Sequence, residues 1–376
     1  MNVSRSVLVS IATAFATTMA FTVPVFAEPI ARIGDIARVE VVAGGLEHPW
    51  GLAFLPDGRM LVTERPGRLR IVAADGTVSP PVEGVPTVDD NGQGGLLDVA
   101  LDPAFAQNGL VYLSFSEPGE GGSGTSVARG RLDGTTLRDV GVIYRQTPKV
   151  GGGRHFGSRL VFAPDGTLFV TQGDRGSMSE SAQDLATTIG KVVRIKPDGS
   201  IPADNPFIGR SDARAEIWSY GHRNAQGATI DPATGLLWTV EHGARGGDEL
   251  NQPQAGRNYG WPVITYGRDY SGEKIGVGTT RSGLEQPVYY WDPSIAPSGL
   301  TFYTGDAIPA WKGSLFLGAL AGQRLVRLTL REGKVTGEEV LLADLGERIR
   351  DVVEGPDGFL YLLTDSDDGR VLRIRP

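Results

Sequence analysis

The chain contains no cysteine, which excludes disulfide bonds and thiolate metal sites. It has no excess of basic residues either, since 36 Lys and Arg stand against 44 Asp and Glu, a formal net charge of −8 at pH 7. That balance argues against a nucleic-acid partner. Beyond the N-terminal segment no apolar run is long enough to span a membrane. We therefore expect neither nucleic-acid binding nor stable membrane insertion.

The N-terminal segment is typical of a secretory signal peptide. Arg5 supplies a short basic region, an apolar and small-residue stretch follows, and Val25-Phe26-Ala27 matches a small-residue cleavage site. Thr and Pro interrupt the apolar run, and an uncleaved anchor is the alternative. We expect residues 1–27 to be removed and residues 28–376 to form one domain in the periplasm.

Glycine and proline, by contrast, are abundant: 53 Gly and 24 Pro suit a chain with many tight turns. One pattern recurs six times, in which an apolar strand leads into a Pro-Asp-Gly-like turn and a second apolar strand. The six copies span 52–64, 97–115, 160–174, 228–243, 300–319 and 351–365. Such radial repetition predicts an all-β fold, a six-bladed β-propeller with four-stranded antiparallel blades.

Short β-branched or aromatic runs predict individual strands, and no segment has sustained helical periodicity. The predicted strands are 38–42, 68–72, 110–115, 168–172, 236–240, 314–319, 325–330, 359–364 and 370–374. We expect the strand at 38–42 to close the ring against the last blade, because closure hides edges that an open sheet would expose.

Two loops carry candidate catalytic and binding groups. His155 lies in the Gly-rich loop 151–160, where an imidazole titrating near neutrality would take a proton from a hydroxyl. The alternative is a loop histidine held by hydrogen bonds. In the segment 219–227, Arg223 and Asn224 offer donors suited to a carboxylate-bearing ligand. The alternative there is a turn stabilised by side-chain hydrogen bonds.

Three further segments suggest ligand contacts. Asp248 and Glu249 offer carboxylates to a hard cation in a loop rich in glycine, with a solvated acidic loop as the alternative. Arg348 and Arg350 alternate along a predicted strand, so both project to one face and suit an anion, unless that face is simply solvated. Gln93 stands in a Gly-rich loop that permits close approach of a ligand.

Taken together, these segments resemble the soluble, PQQ-dependent aldose sugar dehydrogenases of the glucose/sorbosone dehydrogenase family. Five motifs occur in the family's order, and the resemblance extends over nearly the whole of residues 37–376. They are GQGGLLDVALDP, GGRHFGSRLVFAPDGTLFVTQGD, GHRNAQG, EHGARGGDELN with GRNYGWP, and RIRDVVEGPDG.

The resemblance implies pyrroloquinoline quinone (PQQ) and Ca²⁺ as cofactors, with the quinone over the axial opening of the propeller. It implies His155 as general base. The quinone-contacting positions that it implies are Gln93, Arg223, Asn224, Tyr270, Ala321, Arg348 and Arg350. Those implied to hold calcium are the carbonyls of Gly243 and Ala244, and the segment with Asp248, Glu249 and Tyr259.

The implied chemistry is oxidation of aldose sugars at C1 to lactones. His155 would remove the proton of the anomeric hydroxyl as the C1 hydride moves to the quinone. Arg348 or Arg350 would stabilise the negative charge that develops on the quinone oxygen. The expected partners are small aldoses and an electron acceptor, for a monomer or a homodimer. Two alternatives from other classes are a calcium-dependent, lactonase-like propeller hydrolase and a non-catalytic binding propeller.

Two departures from the family pattern concern specificity. Glucose-preferring members have a lysine at the position of Ala321, where Arg324 or backbone groups would have to compensate. Some members have an acidic residue at the position of Arg154, which precedes His155 here. Both departures favour the broad-specificity aldose branch of the family.

Overall fold

A computed structural model describes Met1 and residues 30–376. The predicted signal peptide, apart from Met1, lies outside the described residues. The described chain is almost entirely β-structure, with one four-residue helix, α1 (Phe105–Asn108), and 3₁₀ turns at Ser179–Ala182, Pro309–Trp311 and Ala343–Leu345. No helix within that part of the chain has the length and hydropathy needed to cross a bilayer.

The strands form six antiparallel sheets. The first two strands, β1 (Ala31–Ile33) and β2 (Ala37–Leu46), belong to the last blade. Blade 1 contains β3 (Pro49–Phe54), β4 (Met60–Glu64) and β5 (Arg68–Val72). Blade 2 contains β6 (Leu96–Leu101), β7 (Leu110–Gly119), β8 (Gly122–Asp133) and β9 (Thr136–Arg145). Blade 3 contains β10 (Gly157–Phe162), β11 (Leu168–Gln172), β12 (Lys191–Ile195) and β13 (Ile217–Tyr220).

The second half of the ring follows the same plan. Blade 4 contains β14 (Ala225–Ile230), β15 (Leu237–Glu241), β16 (Asp248–Asn251) and β17 (Tyr289–Trp291). Blade 5 contains β18 (Pro297–Phe302), β19 (Leu315–Ala319), β20 (Arg324–Arg331) and β21 (Lys334–Leu341). Blade 6 contains β22 (Ile349–Glu354), β23 (Leu360–Thr364) and β24 (Gly369–Arg375), completed by β2 and β1.

The six-bladed prediction is confirmed, and each sequence repeat is the inner hairpin of one blade. The copy at 160–174, for example, contains β10 and β11, and the copy at 351–365 contains β22 and β23. All nine individually predicted strands correspond to strands of the structure, and three of them, predicted at 236–240, 314–319 and 359–364, begin one residue too early. The predicted closure is confirmed as well, because β2 pairs with β24, with Val39 opposite Ile374.

The core lies between the blades. Six apolar clusters each join one pair of neighbouring blades, as in the cluster that packs Trp238 of blade 4 against Phe302 and Leu317 of blade 5. Each blade is apolar on both faces, because both faces pack against a neighbouring sheet. Apolar burial contributes roughly 25 cal/mol per Å², so six such interfaces stabilise a chain that lacks disulfides.

Charged residues fill the centre of the ring. Arg159 at the start of β10 donates from one guanidinium nitrogen to Asp98 of blade 2 at 2.9 Å, and the same nitrogen lies 3.1 Å from Asp351 of blade 6. Blades 3 and 6 stand opposite each other, so this contact crosses the axis. Equivalent positions in two other inner strands are Gly51 and Gly299. A Cβ there would lie 2.5 Å and 2.7 Å from the Asp98 and Asp351 oxygens, so glycine makes room for the ion pairs.

Candidate functional site

A cavity of about 620 Å³ opens among the loops that enter the inner strands. Its walls come from the loops before β6 and β10, the turn after β11, and the long connection between β16 and β17. The polar and aromatic side chains in the lining include Gln93, Arg154, His155, Asp174, Glu180, Arg223, Trp261, Asp269 and Tyr270, and Ala244 lies beside them. Five predicted site residues therefore meet here: Gln93, His155, Arg223, Ala244 and Tyr270.

His155 is buried and held in one orientation. Its Nδ1 donates to Asp174 Oδ1 at 2.6 Å, and its backbone amide donates to Gln93 Oε1 at 2.9 Å. Asp174 is held in turn, because it accepts from Trp261 Nε1 and from the Gly176 amide, both at 2.8 Å. With Nδ1 committed to Asp174, Nε2 is the imidazole nitrogen left for a ligand in the cavity.

The electrostatics favour the neutral imidazole. Burial lowers the pKa of His155, and nearby Arg223 lowers it further, although the hydrogen bond to Asp174 acts in the opposite direction. Burial alone would raise the pKa of Asp174, but the contacts with His155 and Arg223 bring it below its ordinary value. At neutral pH the pair is thus a neutral imidazole on a carboxylate, an arrangement suited to accepting a proton.

Sequence reasoning did not single out Asp174. It follows β11, nineteen positions after His155, and only the pairing of β10 with β11 brings the two loops together, with Gly157 opposite Gln172. The available signal was its place just after the second strand of a repeat. Because the two strands of the hairpin are antiparallel, the end of the second strand lies beside the loop that precedes the first strand.

Arg223 and Asn224 lie in the loop immediately before β14. Arg223 donates to the carbonyls of His242 (3.1 Å) and Gly243, and its guanidinium lies 5.2 Å from the Trp261 ring centroid. Asn224 is buried outside the lining and accepts from the Gly157 amide at 3.1 Å. Two buried donors, Arg223 Nε and Asn224 Nδ2, have no partner among the described residues.

Arg348 and Arg350 share one partner. They donate to Asp365 Oδ2 at 3.2 Å and 2.7 Å, as expected of side chains on the same face. Arg350 is buried and also donates to Gln226 Oε1, whereas Arg348 is partly exposed and donates to the Leu320 carbonyl. Neither lines the cavity described above, and Ala321 lies exposed in the turn between β19 and β20.

In the predicted calcium segment, the side-chain oxygens of Asp248 and Tyr259 already form hydrogen bonds within the chain. The Asp248 carboxylate accepts from Ser294 Oγ and from the amides of Gly243, Ile295 and Ala296, so a cation would have to displace these donors. The Tyr259 hydroxyl donates to the Gln252 carbonyl at 2.5 Å, and its ring stacks on His222.

Glu249 differs from its neighbours. Its pKa is raised to about 8, first by burial and then by repulsion from Glu241. Asn251 Nδ2 bridges the two carboxylates at 3.0 Å and 2.9 Å, and Asn251 Oδ1 is a buried acceptor without a partner in the described chain. This is an oxygen-rich position in which a cation would relieve carboxylate repulsion. No group of three or more His, Cys, Asp or Glu side chains converges on a metal position anywhere in the described chain.

Two other histidines are structural. His222 is fully buried between Ser219 Oγ (2.9 Å) and Glu241 Oε1 (2.9 Å), without access to the cavity. His242 donates to the Pro297 carbonyl at 2.9 Å, and burial together with neighbouring cations lowers its pKa to about 3. His155 is therefore the histidine placed to react.

Fold and site together describe a propeller in which a cavity among the loops of blades 2 to 4 holds a neutral histidine oriented by a buried aspartate. The model of the Glucose / Sorbosone dehydrogenase family matches residues 46–373. The aldose sugar dehydrogenase YliI of Escherichia coli is 50% identical over 345 residues, covering 90% of this chain and 93% of the relative. The chain belongs to the glucose/sorbosone dehydrogenase family, and it is an oxidoreductase.

Two solved structures of aldose sugar dehydrogenases have the same fold as this chain. The apo crystal structure of the soluble aldose sugar dehydrogenase from Escherichia coli has 49% identity, a TM-score of 0.89, and coverage of 90% of this chain and 99% of that one. The PQQ-bound aldose sugar dehydrogenase from Streptomyces coelicolor has 31% identity, a TM-score of 0.75, and coverage of 93% and 99%. Membership of this family favours an oxidoreductase over the two alternatives, a calcium-dependent hydrolase and a non-catalytic binding propeller.

Proposed function

We propose that this chain, as one domain of residues 28–376 in the periplasm, oxidises aldose sugars at C1 to lactones with PQQ as cofactor and Ca²⁺ bound. The observation that carries the proposal is the His155–Asp174 pair, with its remaining imidazole nitrogen at a 620 Å³ cavity. Membership of the family and the PQQ-bound relative from Streptomyces coelicolor support the choice of cofactor.

The residues present fit a polyanionic quinone. Arg223 Nε, Asn224 Nδ2 and Arg350 Nε are buried donors without partners in the described part of the protein. An unpaired buried donor costs about 1–3 kcal/mol, so a ligand that accepts these hydrogen bonds would recover that cost. Gln93, Arg223, Asn224 and Tyr270 would hold the quinone, while Arg348 and Arg350 would offer it positive charge from the face they share.

Two positions in the described chain offer oxygen atoms suited to calcium. Ala244 lines the cavity, and its carbonyl would hold an ion beside the quinone, with Gly243 as its neighbour in that loop. Glu249 and Asn251 Oδ1 would hold a second ion, because Asn251 Oδ1 lacks a donor and the Glu249 carboxylate is repelled by Glu241. Asp248 and Tyr259 remain predictions, and their present contacts would shape the loop around the ion.

The chain's own part in the reaction is proton removal and orientation. His155 Nε2 would take the proton of the anomeric hydroxyl, while Asp174 keeps Nδ1–H in place and stabilises the imidazolium that forms. Trp261 and the Gly176 amide keep the Asp174 carboxylate from turning. When bound, PQQ supplies the hydride acceptor, and Ca²⁺ polarises its oxygens.

The test is reconstitution. The purified chain, with PQQ and Ca²⁺ added, should reduce an artificial electron-accepting dye with several aldoses and release the corresponding lactones, detected by NMR. His155→Ala should lower turnover by about 10²–10⁴-fold while retaining the quinone. No other histidine is a matched control, because His222 is fully buried and His48 contacts Asp365. The exposed Arg281, outside the cavity lining, serves instead, and Arg281→Ala should keep its turnover within a few-fold. Absence of dye reduction with every sugar, together with absence of quinone binding, would overturn the proposal.

A further inference from the structure

One cation at the cavity has no partner in the described structure. Arg154 is exposed, lines the cavity and precedes His155 directly, and its guanidinium makes no hydrogen bond or ion pair with any described residue. Arg223, the other arginine in the lining, is committed to two backbone carbonyls and to the Trp261 ring. Arg154 is therefore the cation in this wall whose whole guanidinium is unpaired within the described chain, whereas Arg223 keeps only its Nε for a ligand.

The backbone explains why neighbouring side chains share one cavity. His155 has φ of +53°, a left-handed conformation that a non-glycine residue adopts only where surrounding contacts enforce it. That turn of the chain brings the side chains of residues 154 and 155 to the same side. In an extended strand they would point to opposite faces.

The loop that presents Arg154 is held firmly. The buried Arg175 donates to the Arg154 carbonyl and to the Gly152 carbonyl (2.7 Å), and its guanidinium lies 3.5 Å from the Phe156 ring centroid. The loop before β6 also holds it, because the backbone amide of Gln93 donates to the Gly153 carbonyl at 2.8 Å. A charge on a fixed backbone beside the base has a defined position relative to a bound substrate.

Three carboxylates, Asp174, Glu180 and Asp269, also line the cavity, and none forms an ion pair with the Arg154 guanidinium; Asp174 is paired with His155 instead. Asp269 accepts from the Ser271 amide of its own turn at 2.8 Å. Arg154 is thus not neutralised by the carboxylates of its own wall. Guanidinium pairs with carboxylate or phosphate oxygens through two parallel hydrogen bonds, which a neutral sugar does not offer.

We infer that Arg154 extends the substrate range to aldoses that carry an anionic group, a carboxylate or a phosphate, at the end of the sugar remote from C1. The inference rests on the proposed function, since it assigns a substrate class to that same site. Arg154 acts here as a specificity-determining residue, and proton removal remains with His155.

The test compares charged and neutral sugars on the PQQ- and Ca²⁺-loaded protein. The kcat/KM for glucuronate and for glucose 6-phosphate, each divided by kcat/KM for glucose, is measured for the wild type, for Arg154→Gln and for Arg281→Gln. Arg281 is an exposed arginine outside the cavity lining, so its replacement makes the same change in net charge. Calorimetric binding of glucuronate to the three proteins gives a readout independent of turnover.

We expect Arg154→Gln to lower the ratio about fivefold for the anion that Arg154 binds, and Arg281→Gln to leave it unchanged. A fall with glucuronate alone assigns a carboxylate, and a fall with glucose 6-phosphate alone assigns a phosphate. In the wild type, raising the salt concentration should lower the same ratio, because salt screens exposed charges. Equal ratios in wild type and Arg154→Gln, with glucose still oxidised, overturn this inference alone. Failure to oxidise any of the three sugars overturns it together with the proposed function.

Discussion

Arg159 of blade 3 and Asp351 of blade 6 form an ion pair of 3.1 Å across the centre of the ring. The same guanidinium also binds Asp98 at 2.9 Å and lies 4.3 Å from the Trp50 ring centroid. One buried cation thus holds two buried carboxylates from different blades. Burial raises the pKa of Asp98 to about 6, with Arg159 opposing that rise and Asp351 adding to it.

Replacing Arg159 by Met should therefore destabilise the fold. Two carboxylates would remain buried without their counter-ion, and breaking a buried pair costs about 3–5 kcal/mol. Urea denaturation at pH 8 measures the change. The raised pKa means that the folded state binds more protons than the unfolded one, so the loss should be smaller at pH 5. The exposed Arg138→Met is the control, expected to change stability by about 1 kcal/mol or less. Equal stability of wild type and Arg159→Met would contradict the prediction.

Asp174→Asn should impair proton removal while leaving the cavity in place. The amide would still contact Nδ1, but it would neither fix the Nδ1–H tautomer nor stabilise the imidazolium. A fall in kcat of about 10²–10⁴-fold is expected, comparable to removal of the base itself. Steady-state kinetics on the quinone-loaded protein measure it, with a quinone titration to show that the cofactor still binds. Wild-type kcat in this variant would exclude Asp174 from the orientation of His155.

The pH dependence of kcat/KM should report His155. The pKa of this imidazole is lowered by burial and by Arg223, so the group stays neutral down to pH values below its ordinary 6.5. Activity should be constant above that value and fall on the acidic side, as protonation removes the base. In Asp174→Asn the acidic fall should move to still lower pH, because the negatively charged partner that raises the His155 pKa is replaced by a neutral amide. An acidic limb centred above pH 7 would contradict this assignment.

Arg348→Gln should weaken quinone binding more than it changes turnover at saturation. Arg348 is partly exposed and shares Asp365 with Arg350, so its removal leaves that carboxylate paired. Loss of one charge-assisted hydrogen bond predicts an increase in Kd of about tenfold. Fluorescence titration of the apo protein with PQQ measures the Kd, with Arg370→Gln on the adjoining strand β24 as the matched control. An unchanged titration would remove Arg348 from the anion site.

Lys191→Met should loosen one wall of the cavity. The buried Lys191 ammonium donates to the carbonyls of Ser181 (2.7 Å), Ala182 (3.1 Å) and Ile189 (2.8 Å). The first two belong to the 3₁₀ turn whose Glu180 lines the cavity. Leaving buried acceptors unpaired costs about 1–3 kcal/mol each, so the melting temperature should fall by several degrees. Hydrogen exchange of residues 179–187 should accelerate more than that of β22, and uniform acceleration throughout the chain would contradict a local role.

The six sequence repeats were sufficient to predict most of the fold. A Pro-Asp-Gly-like turn between two apolar strands is a local signal, because turn chemistry and the two-residue period of a strand depend on neighbouring residues. Closure by residues 38–42 was predictable as well, since an N-terminal strand outside the six repeats has an obvious place beside the last blade. The outer strands, such as β9 and β21, are exposed and polar, and their sequence pattern is too weak to predict them.

The amino-acid sequence by itself determined the propeller, its closure, and the group of polar loops that contains His155 and Arg223. Only the tertiary structure decided that Asp174 orients His155, that Arg348 and Arg350 share Asp365, and that Arg159 links two carboxylates across the axis. The physical reason is distance along the chain. Strand periodicity says which face a side chain takes, but the packing of six blades decides which faces meet, and Arg159 and Asp351 are brought together only when the ring closes.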